Sequence, residues 1–258
     1  MEKREIAYDF SGKTVLITGA GGVLGRDLAK SFAEASAQVV LAVRKIDGFM
    51  AGFSETLPHT PLLSEADLSQ EAEIERLFDS IYGITEKVDI LVNNAALQPT
   101  ARLQDIDGGK WDEMMAVNVK APHLCTLQLV KKRQRDRIGS SAAIVNIASI
   151  EADAPAPLHS HYDASKGGLL QYSRAAALEL GPEGIRVNVV SPGLIDREGI
   201  ERDWPDGVNR YRSASPLRRL VKTEEVCQAV LFLSSDAASG ITGINVRVDT
   251  GIGATPGY

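Results

Sequence analysis

Residues 14–35 read TVLITGAGGVLGRDLAKSFAEA, and the reading of this stretch decides the fold. The first five residues, Thr14–Thr18, are apolar or β-branched with little polar alternation, as in a strand covered on both faces. From 24 to 35 the apolar positions recur at helical spacing. Between them lies the turn Gly19-Ala20-Gly21-Gly22-Val23-Leu24-Gly25. Glycines there permit a tight corner and let the backbone approach a pyrophosphate at the positive end of a helix. Alone this is weak evidence for a nucleotide, because many glycine-rich turns are only corners.

The same alternation runs through the rest of the chain. Strand-like runs stand at 38–43 (QVVLAV), 88–92 (VDILV), 142–148 (AAIVNIA), 185–190 (IRVNVV) and 244–248 (INVRV), with a weaker one at 61–66. Helical stretches fall at 71–82, 111–131, 162–180 and 224–233; Thr223 is the expected N-cap of the last, and Gly181-Pro182 ends the one before it. Strand–helix alternation implies parallel pairing through right-handed crossovers. The expected fold is therefore α/β, one domain over 1–258, a doubly wound Rossmann-type parallel sheet of about seven strands with helices on both faces. The segment 194–215 reads as a long irregular flap following a strand's carboxyl end, where ligands bind in such folds.

Composition narrows the function classes. The 258 residues are 44% hydrophobic and 24% charged, which excludes wholesale disorder and predicts a packed globule. A net charge of −6 disfavours a protein whose task is gripping nucleic acid or an anionic membrane. Cys125 and Cys227 lie in helix-like apolar stretches and read as reduced core residues of a cytoplasmic protein. The start, Met1-Glu2-Lys3-Arg4-Glu5, has no apolar run behind its charges, and no stretch reaches the roughly 20 apolar residues of a membrane span.

The sharper chemical signal is Tyr162-Asp163-Ala164-Ser165-Lys166. Four residues on a helix bring two side chains to one face, about 6 Å apart along the axis. A phenol with a pKa near 10 is a poor base at neutral pH, and a cation within about 4–6 Å favours its ionised form. Such pairs also arise by chance on helix surfaces. Ser149, 13 residues before the tyrosine, ends a strand-like run at the edge where ligands sit.

Together these features resemble the short-chain dehydrogenase/reductase family, over nearly the whole chain. Beside the near-TGxxxGxG turn stand Asp67-Leu68, Asn93-Asn94-Ala95-Ala96, Asn118 within Val-Asn-Val, Ser149, Tyr162 with Lys166, Ser191-Pro192-Gly193 and Ile241-Thr242-Gly243. The resemblance implies an NAD(P)-dependent oxidoreductase acting on a small secondary alcohol or ketone. Tyr162 would be the general acid/base and Ser149 would hydrogen-bond the reacting oxygen. Lys166 would lower the tyrosine pKa and hold the nicotinamide ribose, and Asn118 would hold a water linking the lysine to solvent. Cofactor contacts would come from Gly19, Gly21, Gly22, Val23, Leu24 and Gly25, from Val43 and Arg44, and from Asn94 and Ala95. Asp67 and Leu68 would meet the adenine, and Pro192, Gly193 and Ile195 complete the set with Tyr162 and Lys166. A homotetramer is implied by the same resemblance. The competing reading is a catalytically silent, nucleotide-binding member serving as a regulatory or structural subunit; a nucleic-acid module on this scaffold is a weaker third.

Three positions depart from the family pattern: Val23 replaces the middle glycine of the turn, Ala96 the glycine of NNAG, and Arg197 a frequent threonine. A helical φ at Val23 would tolerate its side chain. The nucleotide choice rests on the end of the second strand. Val43 stands where an acidic residue would bind ribose hydroxyls, and Arg44 and Lys45 follow, so NADP(H) is expected ahead of NAD(H). No metal is expected, because the HxH pair His159 and His161 lacks acidic or cysteine partners at structural-site spacing. The basic run Lys131–Arg137 reads as a solvated helix end, and Trp111, Met114 and Met115 open a helix that suits either a subunit contact or the core.

Overall fold

The structure is a computed structural model that describes residues 8–254; the charged start at 1–5 and both extremities of the 1–258 domain lie outside the described residues. Among the described residues, seven strands form one sheet: β1 (Thr14–Thr18), β2 (Gln38–Val43), β3 (Leu62–Glu65), β4 (Ile90–Asn93), β5 (Ala142–Ile147), β6 (Ile185–Pro192) and β7 (Asn245–Val248). Their order is β3-β2-β1-β4-β5-β6-β7, and every neighbouring pair is parallel. The helices are α1 (Val23–Glu34), α2 (Gly48–Glu55), α3 (Glu71–Ile84), α4 (Gly108–Met115), α5 (Ala121–Arg135), α6 (Ser160–Leu180), α7 (Ile200–Asp203), α8 (Pro205–Ala214) and α9 (Thr223–Ser234).

Strand alternation divides the core into two layers. Val15 and Ile17 join Leu28 and Phe32 of α1 and Val226 and Val230 of α9 on one face. Leu16 joins Ile74 and Phe78 of α3 and Leu124 and Leu129 of α5 on the other. The five inner strands, β2, β1, β4, β5 and β6, thus bury both faces, which is why the sequence shows continuous apolar runs, whereas the edge strands β3 and β7 are only partly buried. The strand order reverses beside β1, with β2 on one side and β4 on the other. Crossovers leave in opposite directions there and open a crevice at the carboxyl ends of β1 and β4.

The structure corrects five expectations. The continuous helix expected at 111–131 is α4, a π-helical turn at Ala116–Lys120, and α5. That turn carries Asn118, whose side chain leaves the helix to bond the backbone of Leu97. The segment 194–215 is not irregular: it folds into α7 and α8, whose Ile200, Val208 and Tyr211 form a small core with Leu220. A short helix, α2, stands where none was read, capped by Asp47, whose side chain accepts the Met50 N–H at 2.9 Å. Thr223 is the first residue of α9 rather than its cap, because Glu225 reaches back to the Lys222 N–H at 2.9 Å. In the basic run, Lys132 and Arg133 are buried, not solvated. Lys132 pairs with Asp79, and Arg133 donates to the carbonyls of Val88 and Ser140, tying α5 to the strand ends beneath it.

Cys125 and Cys227 are buried free thiols, and Met114 is buried while Trp111 is exposed. Among the described residues no helix is long and apolar enough to cross a membrane.

Candidate active site

The glycine turn divides into positions the protein itself requires and positions it does not. Gly19 has φ +63°, and a Cβ there would sit 2.7 Å from the Ala95 Cα. A Cβ on Gly25 would lie 2.3 Å from the Gly19 carbonyl oxygen, so these two glycines let α1 and the loop after β4 close on β1. Gly21 and Gly22 meet nothing closer than ordinary contact: Met50 Sδ at 3.6 Å and Val43 Cγ1 at 3.8 Å for the first, the Gly19 oxygen at 3.5 Å for the second. Gly22 is the N-cap of α1 and supplies no side-chain cap. Val23 opens α1 with its side chain in solvent, so valine is accommodated where the family pattern has glycine. Leu24 is buried in the core. Ala96 is not among the residues with positive φ, so its departure is equally mild.

Thr18 and Asn94 lock this turn. The Thr18 hydroxyl accepts the N–H groups of Asn94 (3.0 Å) and Ala95 (3.1 Å). The Asn94 amide donates to the carbonyls of Thr18 (3.0 Å) and Gly19 (3.1 Å). Asn94 therefore acts as a turn-fixing asparagine. Val43 is buried under the turn, and Arg44 and Lys45 are exposed at the end of β2. Asp67 accepts the Ser69 N–H at 3.0 Å; that bond holds its carboxyl below the ordinary range, with a smaller lowering from the Arg44 charge. Leu68 packs on the core beside it.

The second half of the site is built on α6. Tyr162 and Lys166 are both buried on one face, with the ammonium 5.6 Å from the phenol ring centroid. Lys166 Nζ donates to the Ile147 carbonyl at 2.8 Å, anchoring the helix to the end of β5. Ser149 follows on the same strand end, within hydrogen-bonding reach of the Tyr162 hydroxyl, and its Oγ also accepts the Glu151 N–H at 3.1 Å. Asn118 is buried, with both ends of its amide hydrogen-bonded. Its Oδ1 accepts the Leu97 N–H (2.8 Å), and its Nδ2 donates to the Leu97 carbonyl (2.9 Å) and Ser165 Oγ (3.0 Å). π turns of this kind recur at functional sites.

The electrostatics run against one expectation. Burial raises the Tyr162 pKa well above that of an ordinary tyrosine; the Ser149 bond offsets this in part, and the charges of Glu151 and Asp163 add to it. Lys166 is buried beside the phenol and donates to the Ile147 carbonyl. Its own pKa is lowered to about 8 by burial, since an ammonium without bulk water is disfavoured. In the protein alone the phenol is a stabilised acid, not a ready base.

Around this pair, Gly193 follows β6 and donates to the Val248 carbonyl at 2.9 Å. A Cβ there would lie 2.0 Å from Tyr211 Oη, so α8 closes directly over the Pro192-Gly193 corner. Ile195 pairs in a short bridge with Val221. Arg197 is exposed and pairs with Asp203 at 3.2 Å.

Three features escaped the sequence reading. Asn93 Nδ2 donates to Asn146 Oδ1 (2.7 Å), Asn146 Nδ2 to Ser173 Oγ (2.8 Å), and Ser173 Oγ to the Leu169 carbonyl (2.6 Å), a buried chain from β4 to α6. Tyr211 Oη donates to the Asp249 carbonyl at 2.7 Å. Finally, the two histidines do not act together, and acidic partners do exist for one of them. His161 is buried with its Nδ1 unpartnered, whereas His159 Nδ1 lies 2.8 Å from Glu151. Glu151, His159 and Asp163 bring ligand-type atoms within 4.8 Å of one another. Chain separations of 8 and 4 residues across a loop hid this group from spacing arguments.

The geometry agrees with the comparisons to known proteins. A family model described as enoyl-(acyl carrier protein) reductase matches residues 19–253. L-Xylulose reductase of Caenorhabditis elegans is 36% identical over 248 residues, 95% of this chain and 97% of that protein. The crystal structure of a putative short-chain alcohol dehydrogenase from Sinorhizobium meliloti superposes with a TM-score of 0.90 at 29% identity, covering 97% of this chain and 100% of that one. A gluconate 5-dehydrogenase from Burkholderia cenocepacia, solved in complex with NADP and tartrate, gives a TM-score of 0.87 at 25% identity, over 97% and 98% of the two chains. With a doubly wound sheet, a glycine turn at its switch point and a matching family over nearly its whole length, the chain belongs to the short-chain dehydrogenase/reductase family and is an NAD(P)-dependent oxidoreductase.

Proposed function

We propose that the protein is a cytoplasmic enzyme that moves a hydride between NADP(H) and a secondary alcohol or its ketone, with Tyr162 as general acid/base. The observation that carries this reading is the placement of Tyr162 and Lys166 on one buried face of α6, against Ser149 at the carboxyl edge of the sheet. The residues of the turn fit a dinucleotide. Gly21 and Gly22 have no steric reason within the protein to be glycine, and they stand at an α1 terminus without a side-chain cap. That combination suits a pyrophosphate held on backbone N–H groups.

When bound, the nucleotide supplies the hydride, and the protein supplies orientation and protons. Tyr162, protonated at neutral pH, gives its phenolic proton to a carbonyl oxygen, or takes one from an alcohol in the reverse direction. Ser149 holds the same oxygen. Lys166 holds the nicotinamide ribose, and Asn118 positions a water that links the lysine to solvent. Asp67 and Leu68 flank the adenine, Asn94 and Ala95 the adjoining ribose, and Pro192, Gly193 and Ile195 the nicotinamide side. NADP(H) is preferred to NAD(H) because Val43 offers no carboxylate and Arg44 is free to grip a 2′-phosphate. The names of L-xylulose reductase and gluconate 5-dehydrogenase favour a polyhydroxylated substrate, and the family resemblance a homotetramer. Relatives named as dehydrogenases and reductases lend no support to a catalytically silent subunit.

The test is NADPH and NADH oxidation with L-xylulose and a panel of ketoses and keto acids, repeated with Tyr162→Phe. The variant should lose about 10²–10⁴ in kcat and bind NADPH within a few-fold of wild type. Retention of more than about a tenth of wild-type kcat overturns the assignment, as does the absence of turnover across the panel.

A further inference from the structure

We infer that Arg26 is a second cationic contact for the adenosine 2′-phosphate of NADP(H), acting from the first turn of α1 beside Arg44 at the end of β2. The inference rests on the proposed preference for NADP(H). A doubly charged phosphate gripped by one guanidinium keeps a net negative charge, so a second cation at the same corner adds to its binding. The glycine turn at 19–25 carries no charged side chain of its own. Arg26 is the first charged residue after it, and its side chain turns back to it: Nη1 donates to the Gly21 carbonyl at 2.6 Å. Gly21 in turn abuts the end of β2. A Cβ on Gly21 would lie 3.8 Å from Val43 Cγ1, and Val43 is the residue before Arg44. The Arg26 guanidinium and Arg44 are thus joined through two residues in contact.

Helix α2 holds the guanidinium in this place. The guanidinium carbon lies 5.0 Å from the centroid of the Phe49 ring, within cation–π range. Phe49 is 62% exposed, and Met50 is the one residue that α2 buries. The Phe49 ring therefore adds little to the core and serves as a platform for Arg26. Met50 Sδ would lie 3.6 Å from the same Cβ on Gly21, so α2 and Val43 meet the turn on one side. The link from Arg44 to α2 is pinned as well: the Ile46 N–H donates to Glu65 at 2.9 Å, and the Met50 N–H to Asp47 at 2.9 Å. Among the described residues Arg26 forms no ion pair, so its charge is left for a ligand. Fastening the turn to α2 needs only a donor for the Gly21 carbonyl; the positive charge is surplus to that task.

The experiment measures Kd for NADPH and NADH by fluorescence titration, and for adenosine 2′,5′-bisphosphate by calorimetry, in wild type, Arg26→Gln and Arg44→Ala. Glutamine keeps a donor for the Gly21 carbonyl and removes the charge. Arg26→Gln should weaken NADPH and the bisphosphate about tenfold and leave NADH within about twofold. The loss should shrink as salt is raised, because an exposed ionic contact is screened. Arg26→Lys, which keeps the charge, should lose no more than about threefold; a loss as large as that of Arg26→Gln overturns the role of the charge. Equal weakening of NADPH and NADH in Arg26→Gln places the side chain at the pyrophosphate or in the packing of the turn, and overturns the inference. Unchanged NADPH binding in Arg26→Gln, beside a selective loss in Arg44→Ala, overturns it too and leaves the NADP(H) preference standing on Arg44. Wild type that binds NADH as tightly as NADPH removes the preference and this inference together.

Discussion

Lys166→Met tests whether burial of the ammonium shapes this site. In the folded chain without nucleotide the Lys166 pKa is lowered to about 8 from the ordinary 10.5, and burial is the cause. The folded state therefore releases this proton near pH 8, and the unfolded chain keeps it to near 10.5. Between these values the unfolded state holds more protons, so stability rises with pH and the cost of the buried charge is fully present below 8. At about 1.4 kcal/mol per pH unit the gap amounts to about 3 kcal/mol. The side chain is buried, so little solvent screening reduces that figure. Methionine fills similar space with no proton to lose. Urea unfolding of both proteins at about pH 7 and about pH 10.5 isolates the effect, because every other titrating group cancels in the difference. Wild type should gain about 3 kcal/mol on the variant between the two conditions. The lost Ile147 bond shifts the offset at both pH values but not the slope. A difference that changes by less than about 1 kcal/mol would refute the claim that the ammonium is held against its solvation.

Two further outcomes follow from the same fold. Gly193→Ala places a Cβ 2.0 Å from Tyr211 Oη, so it should cost about 1–3 kcal/mol in urea unfolding, and much less in a Tyr211→Phe background where that oxygen is gone; equal costs in the two backgrounds would contradict the contact. Arg44→Ala should weaken NADPH by about 1–3 kcal/mol in a fluorescence titration and leave NADH nearly unchanged, whereas equal weakening of both, or tighter wild-type binding of NADH, would dismiss the 2′-phosphate reading.

Local patterns in the sequence were enough for the strands, the parallel sheet and the glycine turn, because each is dictated over a few consecutive residues. Runs such as QVVLAV can be covered on both faces or not exist as strands at all, and the observed β2 has the expected bounds. The spacing of Tyr162 and Lys166 placed them on one helical face before any coordinates, since helical periodicity alone determines it. The division of the glycines was not legible there. Only the approach of Ala95 to Gly19, and of the Gly19 oxygen to Gly25, separates residues that close the turn from those that leave room beside it. Nor could pattern find α7 and α8, whose burial depends on Leu220 beyond the end of α8 and on the Asp249 carbonyl, 38 residues from Tyr211. The break at Asn118 likewise arises because its amide satisfies the backbone of Leu97, a contact 21 residues away. The direction of the Tyr162 pKa was decided by tertiary structure as well. A lysine four residues away favours a phenolate in principle, but burial disfavours it, and burial is set by everything the fold packs around α6. Periodicity is a local property of the chain, whereas solvation and charge at a point are sums over everything the fold packs around it.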